Sequence, residues 1–352
     1  IFKMIKRNKK LVDIIDNDTV TEKYDKFPEY LPIDASNLKV DTKIGCDFYL
    51  LVETNGDRKF NLYCRGNIVY ESDKRDRLLE KNINKLYIKN EDQQKYYEYM
   101  ENNFIDIIAD TNIPSDEKTK ILYGAAKNLV KDLFNNPRTG NIERTKTFAC
   151  NMVDYILKES NASYNLLTIL VHEYYTYTHS VNVAAFGTLF AQSIGLGENE
   201  LKSFCSGILL HDVGKTRIST ELLNKKGKLT KDEYAMVKKH PEMGVEVLKE
   251  SGIESHEECL IVLQHHENAD GSGYPYGLRN NEVQLCSKIA RIIDVYDALT
   301  TNRSYAKALG PFAALVEMKE KMSNYFDEEI FADFIRFLGL CDQRRTQRKD
   351  NK

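Results

Sequence analysis

The sequence has no apolar run approaching the roughly 18 residues that a membrane-spanning helix needs. Its opening stretch, IFKMIKRNKKLVDIID, carries basic residues but neither a continuous apolar core nor a small-residue cleavage site. Neither a membrane span nor a secretory leader is therefore expected. A surplus of one charge is also missing: 50 Lys and Arg face 53 Asp and Glu, a net charge of −3. No global basic field recommends DNA or RNA as a partner, although a local basic pocket for a small phosphate ligand would not show in that total. The seven cysteines (Cys46, Cys64, Cys150, Cys205, Cys259, Cys286 and Cys341) are odd in number, scattered, and form no CxxC. That pattern argues against a disulfide framework and a zinc knuckle, and it fits free thiols in a cytoplasmic protein. There is no internal repeat, no low-complexity tract, and no Ser-His-Asp or Cys-His arrangement for nucleophilic catalysis.

What is present fills about two domains, since 352 residues exceed one typical core. Hydrophobic content of 42% with 29% charged residues is ordinary for a globular chain. Residues 1–90 read as a small α+β domain. DFYLLVE and KFNLYC are strand-like and flank TNGDR, where Asn55-Gly56 is a hairpin signal. NIVYES and KLYIK are further strand candidates, with the helix KRDRLLEKN between them. From Glu91 the period becomes helical, so residues 91–160 read as connecting helices, one beginning near Pro114-Ser115-Asp116-Glu117. Residues 161–343 read as an all-helical domain, and residues 344–352 as a polar tail expected to fray. The fold class expected is α+β overall, with the strands confined to the N-terminal part.

All seven histidines lie between His172 and His266. A single helical histidine is usually packed or on the surface, so only joint patterns carry weight. In GILLHDVGK an apolar helix would deliver His211 and Asp212 side by side, with Lys215 four residues beyond His211 on the same face. The pair can hold different edges of one metal or let the carboxylate bridge two, and the lysine suits a phosphate beside it. A helix-end Asp–Lys ion pair with a structural histidine is the plainer reading, but a carboxylate entering a core demands a charge partner. LQHHENADGSGYP adds His265 and His266 in tandem, then a turn whose glycines let backbone approach a bulky ligand. KIARIIDVYDALTTNRSYAKAL sets Asp294 in an apolar stripe, with Asp297 one turn on and Arg303 and Lys307 following. Asp294 is equally readable as a ligand or as the partner of Arg291 or Arg303. His179, in YTYTHSVNVAA, is similarly ambiguous, and His240 before Pro241 reads in isolation as a helix-initiating surface residue.

Read in order, HSVNV, HDVGK, HPEMG, HHENADGSGYP and ARIIDVYDALTTNRSY closely resemble the HD-GYP branch of the HD phosphohydrolase superfamily. The resemblance covers about residues 165–340 and leaves out the first ninety, which look like a regulatory or sensory module. It implies an all-α HD-type catalytic domain that hydrolyses cyclic di-GMP through linear pGpG to GMP. It also implies metal ligands at His179, His211, Asp212, His240, His265, His266 and Asp294, holding iron or, alternatively, manganese. Gly273, Tyr274 and Pro275 match the signature loop beside the substrate, and Lys215, Arg303 and Lys307 match positions that touch phosphate or guanine.

Two departures stand out. Some members bind a third metal through a Glu one helical turn before the first ligand histidine, and here that position is Tyr175. Glu173 lies on another helix face. A binuclear centre is therefore expected, and a third metal only if another acid reaches in. The arginine motif continues with Ser304 where Pro is usual, and Ala306 stands at the basic position, with Lys307 one residue later. These residue types support attack on phosphorus by a metal-bridging hydroxide, with Asp212 between the metals and Lys215 neutralising phosphate charge. The alternatives are a non-catalytic cyclic-dinucleotide receptor and a phosphohydrolase of another nucleotide such as cyclic GMP-AMP. A homodimer is expected through the apolar-striped helices of residues 91–160.

Overall fold

The structure, a computed structural model, describes residues 29–350 apart from 36–37, 55–56, 82, 112, 138, 160, 170–175, 226, 254 and 303–306. The Asn55-Gly56 turn, Glu173, Tyr175, Arg303, Ser304 and Ala306 lie outside the described residues. The fold is α+β: mostly helical, with its sheets confined to the N-terminal part, as expected. The chain divides into two compact units, residues 13–128 and a second made mainly of residues 129–352.

The first unit is built on an antiparallel sheet of order β1-β6-β3-β4, from Tyr30–Asp34, Lys85–Lys89, Phe48–Thr54 and Asp57–Cys64. β3 and β4 pair at Thr54↔Asp57, leaving the two-residue connection that the hairpin signal called for. A bulge between Phe48 and Tyr49 shifts the register, so that Phe48 faces Cys64 while Tyr49 faces Leu62. Of the NIVYES stretch only Val69–Tyr70 is a strand, β5, paired with β2 at Thr42–Lys43. Neither β1 nor β2 was expected from the sequence. β1 contains Pro32, which offers no N–H, and its place at the sheet edge is where proline is tolerated. Alternation in β6 buries Leu86 and Ile88 completely while Tyr87 remains half-buried. α1 (Ser72–Glu80) follows β5. The helical stretch expected from Glu91 breaks at Asn103 into α2 (Gln93–Asn102) and α3 (Phe104–Ala109), where the Asn103 side chain donates to the Tyr99 carbonyl at 2.8 Å. That local bond competes with helix continuation. α4 (Ser115–Asn135) starts where the acids after Pro114 placed it, and α5, at Thr139–Lys158, belongs to the second unit.

The second unit is helical; among the described residues no strand lies beyond Lys89. α6 (Ala162–Ile169) precedes α7 (Thr176–Ser193), which is buried at every residue from Thr178 to Ala191. A helix that is apolar nearly all round can only be a central one. Around it come α8 (Glu198–Leu210), α9 (Thr220–Leu223), α10 (Lys231–Val237), α11 (His240–Glu250), α12 (His256–Gln264) and α13 (Leu285–Thr300). α14 (Pro311–Lys321) and α15 (Glu328–Asp350) close the unit. Phe186 and Phe190 of α7 meet Tyr296 of α13 and Phe334 of α15 with ring centroids 5.2–5.8 Å apart. These aromatic contacts fix α7 against α13, the two helices that carry His179 and Asp294. α15 runs on to Asp350, so the backbone of most of the tail expected to fray is helical. Its Arg, Gln and Lys residues are good helix formers, and basic residues suit a helix C-terminus.

Candidate metal centre

Three of the histidines reach the site by the same local device. Helix ends leave carbonyls without intrahelical partners. The His211 ring places Nδ1 2.6 Å from the Ile208 carbonyl, His240 places it 2.8 Å from Val237, and His265 places it 2.8 Å from Val262. Each is a contact to the residue three before, at the C-terminal end of α8, α10 and α12. His179, inside α7, instead sets Nδ1 2.7 Å from Asp297 Oδ2. An Nδ1 facing an oxygen is placed to donate to it, so each of these rings turns its Nε2 inward.

The inward atoms converge. His240 Nε2 and His265 Nε2 lie 3.1 Å apart. Asp212 Oδ1 is 3.3 Å from His240 Nε2 and 4.0 Å from His265 Nε2, while Oδ2 is 3.4 Å from His211 Nε2. Asp294 Oδ1 lies 3.1 Å from His179 Nε2, and its Oδ2 is 3.6 Å from His266 Nδ1. Two groups result: Asp212 with His240, His265 and His266, and His179 with His211 and Asp294. Within each, one ligand atom per residue falls within 4.8 Å of the others. His211 Nε2 and Asp212 Oδ1 are buried without a hydrogen-bond partner. Buried acceptors that lack a donor are costly. Cations fit this donor set, because they would satisfy the converging ring nitrogens and the orphaned carboxylate oxygen together.

The electrostatics point the same way. Burial by itself would raise the Asp212 carboxyl, but the Lys215 ammonium and the His211 and His240 rings outweigh it and hold the group well below the usual range. Asp294 is also held low: His179, His266 and His211 overcome its burial. Burial, reinforced by neighbouring imidazoles, pushes His265 and His266 well below the ordinary histidine value. Anionic carboxylates beside neutral imidazoles are the protonation states that metals require.

One expectation needs correcting. α8 stops at Leu210, so His211 and Asp212 sit on a turn and Lys215 lies in a tight 3₁₀ turn, Val213–Arg217, rather than on a helix face shared with His211. Gly214 explains the change: a Cβ there would lie 1.9 Å from the His240 carbonyl oxygen and 2.5 Å from Gly244 N. The chain passes against α11 too closely for a side chain. Buried Leu210 and Val213 anchor the turn on both sides, and Lys215 Nζ reaches Asp212 Oδ2 at 2.5 Å.

The glycine-rich loop also differs from its reading. A Cβ on Gly273 would meet Asn268 N at 2.3 Å and Glu267 Cα at 2.5 Å, so the glycine serves the loop's own folding rather than a ligand's approach. Tyr274 lies against His266, ring centroids 4.6 Å apart, and burial followed by the Asp294 carboxylate pushes its phenol far up. A cavity of about 250 Å³ opens beside the centre, bordered by His179, Lys215, His266, Arg291 and Asp294. Lys307 is exposed and does not border that cavity. Of the remaining histidines, His256 begins α12 and His172 lies outside the described residues.

Three further residues support the centre: Glu267 had no signal assigned to it, Asp297 had no role, and Arg291 figured only as an ion-pair partner for Asp294. Asp297 holds His179, and its other oxygen accepts from Asn182 Nδ2 at 3.2 Å; its i+3 spacing from Asp294 was the available signal. Glu267, buried after the tandem histidines, accepts from the Tyr276 and Leu278 amides at 2.7 and 2.9 Å and so pins the loop. Arg291 donates through Nε to Asn268 Oδ1 at 2.9 Å and stands 3.8 Å from Asp294. That ion pair was the competing reading of Asp294, but the His179 contact is closer.

Such a centre, carried on the ends of packed helices, defines a class. Residues 165–330 match the family model described as an HD domain, in line with the resemblance. The particular kin are narrower. Over 224 residues the chain is 34% identical to a cyclic di-GMP phosphodiesterase of Pseudomonas aeruginosa, covering 62% of this chain and 54% of that protein. Over 174 residues it is 33% identical to 3'3'-cGAMP-specific phosphodiesterase 3 of Vibrio cholerae, covering 49% of this chain and 37% of that one. The chain thus spans about half or less of these relatives' lengths. A solved HDG"Y"P protein from Bdellovibrio bacteriovorus shares the fold, with a TM-score of 0.59 over 88% of this chain and all of that one, at 24% identity.

Proposed function

We propose that this chain is a metal-dependent phosphodiesterase that opens cyclic di-GMP to linear pGpG and carries it on to GMP. The observation that carries the reading is the pair of His/Asp groups meeting at Asp212, where His211 Nε2 and Asp212 Oδ1 are buried without a hydrogen-bond partner. In this reading His179, His211 and Asp294 hold one metal, and His240, His265 and His266 hold a second. Asp212, whose Oδ2 lies toward His211 and Oδ1 toward His240 and His265, would be the residue shared between them. The mixed imidazole and carboxylate set suits iron, with manganese as the alternative. Positions 173 and 175 lie outside the described residues, and we retain two metals rather than three. When bound, such ions lower the pKa of water and neutralise charge on phosphoryl oxygens.

The protein's own groups supply the rest. Lys215, at the cavity edge, balances the Asp212 carboxylate and presents an ammonium where a phosphate would lie. Arg291, on the same cavity, offers a second cation held in place by Asn268. Tyr274, packed on His266, is assigned to the substrate beside that histidine, and Arg303 and Lys307 are assigned to its far part. Relatives named for cyclic di-GMP and for 3'3'-cGAMP both support a cyclic dinucleotide as the substrate class. The three cGAMP-specific relatives support cyclic GMP-AMP as the second reading.

Elemental analysis of anaerobically prepared protein, combined with chromatography of products from cyclic di-GMP and cyclic GMP-AMP, tests the proposal. Two metals per chain and GMP as the end product are expected. Binding without turnover by the iron- and manganese-loaded protein would sink it in favour of a receptor. The same reading takes residues 1–90 as a regulatory module, residues 91–160 as connecting helices, 161–343 as the catalytic domain and 344–352 as a tail. It also includes a homodimer, which light scattering tests. Cytoplasmic residence is supported by the seven free cysteines. Among the described residues no helix is long and apolar enough to cross a membrane.

A further inference from the structure

Lys238 occupies an unusual place two residues before the buried His240. Its ammonium lies 4.9 Å from the centre of the Tyr234 ring and 5.4 Å from that of Tyr274. Among the described residues it makes no ion pair with a carboxylate. Tyr234 and Lys238 share a face because they are four residues apart. The short helix that presents them is fixed at its start: Glu233 N donates to Thr230 Oγ1, and Thr230 N donates to the Glu233 carboxylate. Lys225 braces the same carboxylate at 2.6 Å. One rigid segment therefore sends His240 inward to the metal centre and Lys238 sideways to the loop tyrosine. Tyr234 is 49% exposed, so the arrangement faces solvent beside the centre.

Two rings attract the ammonium electrostatically but accept none of its three N–H bonds in the ordinary sense. The cluster thus combines an aromatic surface with donors that lack an oxygen or nitrogen acceptor. Only the Tyr274 ring separates it from His266, the two ring centroids lying 4.6 Å apart. We propose that Tyr234, Lys238 and Tyr274 form a guanine-reading subsite, in which Tyr234 stacks on the base and Lys238 donates to its O6 and N7 acceptors. This rests on the phosphodiesterase reading given above. Guanine presents two acceptors along that edge, whereas adenine presents one acceptor and a donor. Stacking on a tyrosine tolerates any base, so the discrimination falls to the lysine.

The test uses the full metal-loaded chain with cyclic di-GMP, cyclic di-AMP and the base-free diester bis(p-nitrophenyl) phosphate. Lys238→Met should raise KM for cyclic di-GMP about tenfold and narrow the preference for it over cyclic di-AMP by a similar factor. Lys238→Arg should recover most of the loss, because a guanidinium also donates to that edge. Tyr234→Ala should raise KM for both dinucleotides without moving their ratio. An unchanged KM in Lys238→Met, or an equal loss on the base-free diester, overturns the assignment. If the wild-type chain turns over neither dinucleotide, the phosphodiesterase reading itself fails. Calorimetric titration with GMP and AMP then decides the subsite separately. A preference for GMP that Lys238→Met abolishes supports it, and equal affinities refute it.

Discussion

The sheet unit and the helical unit bury different kinds of residue. In the first, Phe48, Leu78, Leu86 and Ile88 of the sheet and its flanking helix are fully covered apolar side chains, which ask only for volume and shape. In the second, the stretch from His179 to Asp297 buries histidines and carboxylates almost as deeply as leucines. An apolar core is stable as it stands, whereas buried acceptors and anions are stable only when a cation or a donor completes them. The contrast places the molecule's chemistry in one unit and leaves the other free for a different task.

The sharpest way to break that contrast is Asp212→Ala. It should lower kcat/KM for cyclic di-GMP by about a thousandfold, the size of several kcal/mol of lost charge stabilisation. Elemental analysis should show metal loss with it, while the β-sheet signal in circular dichroism persists. A folded, metal-loaded and active variant would remove Asp212 from the centre. Conversely, Ile88→Ala in the sheet should cost roughly 2–5 kcal/mol in denaturant unfolding, as large-to-small core changes do. Metal content per folded chain should not change; coupled loss of metal would mean the two units do not divide the work.

Asp297→Asn sharpens the comparison within the helical unit. The side chain keeps its shape but no longer enforces the proton on His179 Nδ1, so metal affinity should weaken roughly 10–100-fold in a chelator competition. Equal affinity would make Asp297 a packing residue only. The smallest effect concerns pH in the metal-free protein. His265 and His266 have folded pKa values well below 6.5, chiefly through burial and then through neighbouring imidazoles. Below pH 6.5 the unfolded chain takes up protons that the fold refuses, so stability falls as pH drops from about 7.5 to 5.5. Asp212 and Asp294, depressed from 3.8, contribute stability that is lost only as pH falls through their lower folded values. The midpoint of thermal unfolding should therefore decrease over that range, by roughly 2–4 °C for each kcal/mol lost. A midpoint that rises instead would mean these rings are charged in the fold.

Much of the site was legible because its residue types are conspicuous. His211-Asp212, His265-His266 and Asp294 interrupt apolar helical runs, and such interruptions demand an explanation. The supporting residues were less visible. Asp297 and Glu267 are ordinary acids until the fold shows what their oxygens receive, and Lys238 is one basic residue among several. The edge strand β1 escaped notice because proline masks strand propensity, and β2 because two residues make no pattern. The break at Asn103 and the run of α15 to Asp350 turned on local hydrogen bonding and propensity that periodicity does not weigh.

The sequence by itself determined the helical periodicity of the second half, the order of the motifs, and the inventory of imidazoles and carboxylates. Those follow from residue type and spacing, which are properties of the chain alone. Only the tertiary structure decided how His179 is oriented, because packing brings the Asp297 carboxylate to its Nδ1, and only it gathered the inward ring nitrogens into two groups. It alone joined residues more than a hundred positions apart, His179 with Asp297, and separated Lys215 from the face of His211 at the close approach of Gly214 to α11. Geometry at the scale of a hydrogen bond is set by packing, and packing is a property of the folded chain.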